Sequence, residues 1–158
     1  MTAADELLAS CTGLLDQYEA LCRDLGDDLV SARPEELPGS NSAFALVAHV
    51  AGVMARWGRT VNRGRPVPRD RDAEFRATGT VEEALALLGR ARRELVEDVR
   101  AATLDAPPAA PPADDPHAYP TQGAVLLHVH EELAQHLGQL EVTRDVLLER
   151  ARRDEAAR

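Results

Sequence analysis

The sequence predicts an all-α protein, a four-helix bundle with a long crossover connection. Four stretches carry apolar residues at three- and four-residue intervals, the period of an amphipathic helix. No stretch shows the two-residue alternation of a β-strand, and residues 64 to 79 and 105 to 120 are long connections rich in proline. The chain has 158 residues, about the size of one domain, so we expect residues 1–158 to form a single domain.

The first helix is predicted to begin after Thr2, a capping residue, and to end at Gly26. Its apolar positions recur on one face: Leu7, Leu8, Cys11, Leu14, Leu15, Tyr18, Leu21, Cys22 and Leu25. The two cysteines would lie three turns apart on this helix, about 16 Å, which exceeds the reach of a disulfide. We therefore expect Cys11 and Cys22 to be reduced thiols in the core.

The second helix is predicted to begin at Asn41 or Ser42 and to end near Arg63. Its apolar side consists of Leu46, Val50, Val53, Met54, Trp57 and Val61. His49 lies at the border of that side, from which an imidazole can reach inward. An isolated histidine in such a position is more often a core residue with one hydrogen bond than a ligand.

Residues 64 to 79 form the expected crossover. Sixteen residues can extend about 50 Å, whereas a helix of about 22 residues is about 33 Å long. The segment can therefore return along the bundle and leave the second and third helices parallel, with Phe75 as an anchor. Arg56, Arg69 and Arg71 could hold an anionic substrate, but surface arginines are more often only solvated.

The third helix is predicted to begin with a capping box, in which Thr80 and Glu83 satisfy each other's backbone N–H groups. Its charged residues are expected to form a solvated face without a functional site: Arg90, Arg93, Glu94, Glu97 and Asp98. Six prolines exclude a helix from residues 105 to 120. The last helix is predicted to begin at Thr121 and to end near Arg150, followed by a frayed, charged tail.

The composition of the chain argues against two classes of binding partner, nucleic acids and membranes. The net charge is −9 and the 18 basic residues are all arginine, so the surface is acidic and lacks the basic stripe of a nucleic-acid-binding protein. No apolar run approaches the roughly 18 to 20 residues of a membrane span, and the N-terminus lacks the pattern of a signal peptide. We therefore expect a cytoplasmic protein that binds neither nucleic acid nor membranes.

The last helix carries the residues that indicate a function. Its apolar positions gather in an arc of about 80° that should face the core: Val125, Val129, Leu133, Leu140 and Leu147. Glu132 and His136 lie at or near the edge of that arc, where a carboxylate is desolvated unless it has a partner. Four residues apart, they can bind one metal ion. From the spacing alone, a hydrogen-bonded pair without metal is at least as common.

A catalytic zinc or related divalent ion needs three protein ligands and an open position. His49, from another helix, is the preferred third ligand. His128 is the alternative because it precedes Glu132 by four residues, although it lies farther from the apolar arc. His130 lies on the opposite border of the helix and His117 in the proline-rich segment. A fourth ligand, His128 or His117, would instead close a structural site.

Three segments resemble the DinB-like superfamily, in particular its actinobacterial branch of mycothiol-dependent enzymes related to the N-terminal domain of maleylpyruvate isomerase. They are HVAGVMARW at 49 to 57, PVPRDRDAEF at 66 to 75 and HVHEELAQHLGQLEVTRDVL at 128 to 147. The resemblance implies a four-helix bundle with a crossover and a divalent metal, often zinc or nickel. A helix-two histidine and an E-x-x-x-H or H-x-x-x-H pair on the last helix would hold this metal. Those ligands correspond to His49, Glu132 and His136, and no catalytic residue is assigned beyond them.

The activity that the resemblance implies is that of a metal-dependent S-transferase. A low-molecular-weight thiol, mycothiol or a similar compound, would take the open position, where the cation lowers its pKa and the thiolate attacks an electrophile. The implied partners are thus small molecules, and a homodimer is compatible with the sequence. Because we expect residues 1–158 to form a single domain, we expect no counterpart of the second domain of full-length maleylpyruvate isomerase, which argues against that isomerisation. Two alternatives stay open: a non-catalytic metal- or small-molecule-binding bundle, and a metal-dependent hydrolase.

Overall fold

A computed structural model describes residues 1–158, and the prediction of an all-α bundle is confirmed. The helices are α1 (Ala3–Leu29), α2 (Ala43–Met54), α3 (Arg71–Arg76), α4 (Val81–Arg100) and α5 (Gln122–Ala156). α2 continues directly into a π-helical segment, Ala55–Asn62, which has wider turns than an α-helix. The sequence predicts neither this π-helical segment nor α3. No helix combines the length and hydropathy that a membrane crossing requires.

The four long helices form a ring in which α1 and α2 are diagonal to each other. Each packs against both α4 and α5, whereas α1 and α2 barely touch. At one end of the bundle, the ring of Phe44 in α2 fills the space beside Gly79, just before α4. At the other end, Arg63 donates a hydrogen bond to Asp98 of α4 over 2.7 Å. α2 and α4 are therefore parallel, as predicted, and the crossover between them returns along the bundle.

All four long helices contribute to one apolar core. Its largest fully buried side chains include Leu15 and Tyr18 of α1, Leu46 and Met54 of α2, Leu88 and Leu95 of α4, and Leu126, Leu133, Leu140 and Leu147 of α5. Cys11 and Cys22 are buried free thiols, as predicted. Burial of these side chains is the main source of stability and fixes α2 beside α5.

The predicted helix starts are confirmed, but two helices end later than predicted. Thr2 and Thr80 form capping boxes at the starts of α1 and α4. Gly26 interrupts α1 with a φ of 66°, a conformation that glycine adopts without strain, yet the helix makes one further turn. α5 remains helical beyond Arg150, in the stretch predicted to fray, where Arg153 donates a hydrogen bond to Glu149 over 2.9 Å.

The charged face of α4 requires a correction at Asp98, which is predicted to be solvated but is 1% exposed. Arg63 and Arg59, from the end of the π-helical segment, lie 2.7 Å and 3.6 Å from its Oδ1. A Cβ atom at Gly58 would lie 3.1 Å from its Oδ2, so the π-helical segment approaches α4 closely there. Asp98 is therefore a buried carboxylate that two guanidinium groups neutralise.

Candidate metal centre

The structure brings His49, Glu132 and His136 together between α2 and α5. These helices are antiparallel, since Asn62 donates to Gln122 O at one end and Thr143 to Asn41 O at the other. One ligand atom from each of the three side chains lies within 4.8 Å of the others. Glu132 Oε2 lies 3.7 Å from His49 Nε2 and 3.4 Å from His136 Nε2. The three predicted ligands thus converge on a common point.

The other nitrogen of each imidazole already has a partner. His49 Nδ1 lies 2.9 Å from Glu74 Oε2, and His136 Nδ1 lies 3.1 Å from Gln139 Oε1. Because both partners are acceptors, we assign the proton of each neutral ring to Nδ1, which leaves a lone pair on each Nε2. Two imidazole lone pairs and a carboxylate then face one another. Such a donor set fits a divalent cation such as Zn²⁺.

Burial favours the form of His49 that binds metal. The residue is 3% exposed, whereas Glu132 and His136 are half-buried. Burial lowers the pKa of His49 below its usual value, and the hydrogen bond to the Glu74 carboxylate offsets part of this effect. The neutral imidazole, which is the metal-binding form, is therefore favoured near neutral pH.

The three other histidines lie outside this cluster. His128 Nε2 is 3.8 Å from Glu132 Oε1, but its ring packs against Trp57 and Tyr119, with centroids 4.8 and 4.9 Å away. His130 forms a hydrogen bond with Ser10 of α1 over 2.8 Å. His117 is exposed in the proline-rich connection. Neither His128 nor His117 joins the three converging ligands.

A cavity of about 270 Å³ opens beside the three ligands. It is lined by His49, Val53, Trp57, Arg69, Arg71, His128, Glu132 and His136. Trp57 and Tyr119 lie edge to face, with ring centroids 5.0 Å apart, and with His128 they form an aromatic cluster next to Glu132. The sequence does not predict this cluster, because Tyr119 comes from a proline-rich connection without periodicity. The cavity is large enough for the reacting end of a small molecule.

Three side chains of the crossover pack around His49. Glu74 and Phe75 contact it directly, and Arg69 contacts Glu74. The ring of Phe75 stacks on the imidazole, with centroids 4.5 Å apart, so the predicted anchor packs against a site residue. Arg69, expected to be solvated, donates hydrogen bonds to both oxygens of Glu74 over 2.7 and 2.9 Å. The sequence signal for this arrangement is Asp70, a capping residue that begins α3 and so places Glu74 and Phe75 on a helical turn.

Comparison with known proteins decides the family. Residues 6–148, which include every residue of the site, match the family described as Mycothiol-S-transferase. The chain belongs to this family. The predicted resemblance to the DinB-like superfamily is thereby confirmed. No curated protein matches the sequence.

Membership of the mycothiol S-transferase family implies a small-molecule thiol as co-substrate, and the protein's own thiols are unsuited to that role. Burial raises the pKa of Cys11 to about 11 and that of Cys22 to about 12. Thiols with such pKa values are almost entirely protonated at neutral pH and are poor nucleophiles. Both cysteines lie in the apolar core, so they do not line the cavity beside His49.

Proposed function

We propose that this protein transfers mycothiol, or a similar low-molecular-weight thiol, to an electrophilic small molecule. We propose further that His49, Glu132 and His136 hold the divalent cation, zinc or nickel, that this reaction needs. The observation that carries the proposal is the convergence of these three side chains within 4.8 Å beside a cavity of about 270 Å³. Family membership supports the choice of the thiol.

Three protein ligands suit catalysis because they leave a coordination position free for a substrate. A divalent cation bound there would lower the pKa of a nearby thiol, so that thiolate is present at neutral pH. Trp57 and His128 line the cavity. Glu132 offsets one of the cation's two positive charges, because it is the only carboxylate among the three ligands.

The proposed reaction forms one carbon–sulfur bond. The thiol proton passes to solvent, and the sulfur donates an electron pair to an electrophilic carbon. In a substitution, the leaving group departs with the electron pair of the broken bond. In an addition to a double bond, the neighbouring atom takes up a proton from solvent. Neither form requires an oxidant or a reductant.

A catalytic site is better supported than a structural one. A structural ion would be enclosed by four protein ligands, yet His128 packs with aromatic rings and His117 is exposed. A metal-dependent hydrolase would use the same three ligands with water as nucleophile. The family match favours thiol transfer over hydrolysis.

Elemental analysis and a thiol-conjugation assay test the proposal together. We expect about one divalent ion per chain in the wild type and loss of metal and activity in His49→Ala, Glu132→Ala and His136→Ala. His130→Ala is the matched control, because this histidine lies on the same helix but forms its side-chain hydrogen bond with Ser10 of α1. Stoichiometric metal in all three ligand variants would show that the ligands are wrongly assigned. A metal-loaded wild type that conjugates no electrophile would favour a binding protein.

A further inference from the structure

The crossover between α2 and α4 contacts His49 at the ring nitrogen that is not directed toward the other two proposed ligands. Glu74 of α3 lies 2.9 Å from His49 Nδ1, the nitrogen that faces away from Glu132. The adjacent Phe75 stacks on the same imidazole with an interplanar angle of 27°. Glu74 thus fixes the edge of the imidazole, and Phe75 fixes its plane. Neither residue is one of the three proposed ligands.

Glu74 is itself held on both oxygens. Arg69 donates from Nε to Oε1 over 2.7 Å and from Nη2 to Oε2 over 2.9 Å. The side chain of Glu74 is 10% exposed and that of Arg69 is 21% exposed. A two-pronged guanidinium–carboxylate pair of this kind fixes the orientation of the carboxylate as well as its position. Glu74 therefore presents one defined oxygen to His49.

The absence of a side chain at Gly52 makes room for this carboxylate. Gly52 lies three residues after His49, on the same face of α2. A Cβ atom at this position would lie 2.0 Å from Glu74 Oε1 and 2.6 Å from its Cδ. Any residue larger than glycine must therefore displace Glu74, and it can do so without moving the backbone, because the carboxylate is the end of a flexible side chain.

We propose that Glu74 is a positioning residue for His49, and that Arg69 and Gly52 place its carboxylate. Glu74 accepts a hydrogen bond from His49 Nδ1–H, which leaves the lone pair of Nε2 directed toward Glu132 and His136. This inference rests on the metal site of the proposed function but adds a part of the chain outside it. The crossover would then contribute to metal binding, although none of its residues is among the three proposed ligands.

Loss of Glu74 has a specific chemical consequence. Without an acceptor at Nδ1, the neutral ring can place its proton on Nε2, and a protonated Nε2 cannot bind metal. The ring also loses the bond that fixes its rotation. Carboxylate partners of this kind typically change metal affinity about ten- to a hundredfold. The effect is expected on affinity first, and on conjugation activity only through the amount of metal bound.

The test uses four variants of the full chain: Glu74→Ala, Glu74→Gln, Gly52→Ala and, as matched control, Asp72→Ala. Asp72 is an exposed acid on the same short helix and has no side-chain partner. Two quantities are measured: the Zn²⁺ dissociation constant by competition with a chelator, and the tautomer of His49 by ¹⁵N NMR of the metal-free protein. Circular dichroism shows that each variant is folded.

The wild type and Asp72→Ala are expected to carry the His49 proton on Nδ1. Glu74→Ala should shift it toward Nε2 and weaken Zn²⁺ binding about ten- to a hundredfold. Glu74→Gln should restore part of both properties, because its amide oxygen can still accept a hydrogen bond from Nδ1–H. Gly52→Ala should weaken binding while leaving the helix intact, since alanine favours helix more than glycine.

An unchanged His49 tautomer in Glu74→Ala, with Zn²⁺ affinity close to that of the wild type, would overturn the inference. The inference would also be overturned if Gly52→Ala bound Zn²⁺ as tightly as the wild type. If the wild type binds no divalent ion at all, the proposed function fails. The tautomer of His49 in the metal-free variants then still decides whether Glu74 positions the ring.

Discussion

Asp98 shows how a single charged residue can be misjudged from its neighbours in sequence. It is 1% exposed, and Arg63 and Arg59 lie 2.7 and 3.6 Å from its Oδ1. A buried carboxylate is tolerated only when it is paired, and removing one partner leaves the others uncompensated. The two arginines are partly exposed, at 16% and 19%, so water can compensate them in part.

We predict that Asp98→Ala lowers the free energy of unfolding by about 2 to 3 kcal/mol, less than for a fully buried pair because the arginines stay partly hydrated. Urea denaturation followed by circular dichroism measures this change. The control is Glu97→Ala on the same helix, where an exposed carboxylate without a partner should contribute less than about 0.5 kcal/mol. Equal stability of the two variants would show that the pairing of Asp98 contributes nothing.

The residues of the proposed metal centre differ in how well the sequence predicts them. His49, Glu132 and His136 lie on long amphipathic helices, where the helical period gives the direction of each side chain. Glu74 lies 25 residues from its partner in a charged connection, and its role depends on a contact between segments. The position of Asp98 depends in the same way on Arg59 and Arg63. Periodicity describes one element at a time, so it cannot show such pairings.

At the level of elements, the π-helical segment is the main departure from the predicted structure. The sequence predicts one continuous helix to about Arg63, and the apolar positions Val53, Met54 and Val61 are indeed buried. The change to a wider turn after Met54 moves Arg59 and Arg63 toward α4. The apolar and polar positions of these eight residues still fit the α-helical period, so the wider turn is not visible in the sequence.

Two glycines provide a matched test of this segment. A Cβ atom at Gly58 would lie 3.1 Å from Asp98 Oδ2 and 3.3 Å from its Cβ, whereas one at Gly13 of α1 meets nothing within 4 Å. We predict that Gly13→Ala stabilises the protein by about 0.5 to 1 kcal/mol, because alanine has the higher helix propensity. Gly58→Ala should instead destabilise it by about 1 kcal/mol, since the new methyl group must displace a buried, paired carboxylate.

Thermal unfolding of the two glycine variants and the wild type shows whether each substitution raises or lowers the stability of the protein. The difference between them is the informative quantity, since the same substitution is made in both helices. If Gly58→Ala stabilises the protein as much as Gly13→Ala does, the close approach of the π-helical segment to α4 is wrong. The buried position of Asp98 would then need to be reconsidered as well.

For the whole molecule, the proposed metal centre joins segments that are distant in sequence. His49 comes from α2, Glu132 and His136 come from α5, and Glu74 comes from the crossover. The length of the crossover predicts that α2 and α4 are parallel, because only a long segment can return along the bundle. The ring order of the helices is not predictable in this way, since each apolar face could pack against any other. The position of the site between α2 and α5 follows from that order.

An ion bound at this position should stabilise the folded chain as a whole. Unfolding separates the three ligands, so the cation binds the folded state in preference, and stability rises by about 2.7 kcal/mol at a free metal concentration of 100 times the dissociation constant. For a domain of this size, that corresponds to an increase in Tm of roughly 5 to 11 °C. Scanning calorimetry with and without Zn²⁺ measures the increase, and a chelator should reverse it.

The Tm increase in three variants distinguishes Zn²⁺ binding at this specific site from loose binding of Zn²⁺ to an acidic protein. His49→Ala and Glu132→Ala each remove one ligand from a different helix, so both should abolish most of the increase in Tm. His130→Ala should retain it, because that side chain forms its hydrogen bond with Ser10 of α1 and is not one of the three proposed ligands. A chain with a net charge of −9 can bind cations loosely at many carboxylates, and such binding would raise Tm equally in all three variants. That result would mean that the three ligands do not act as one site.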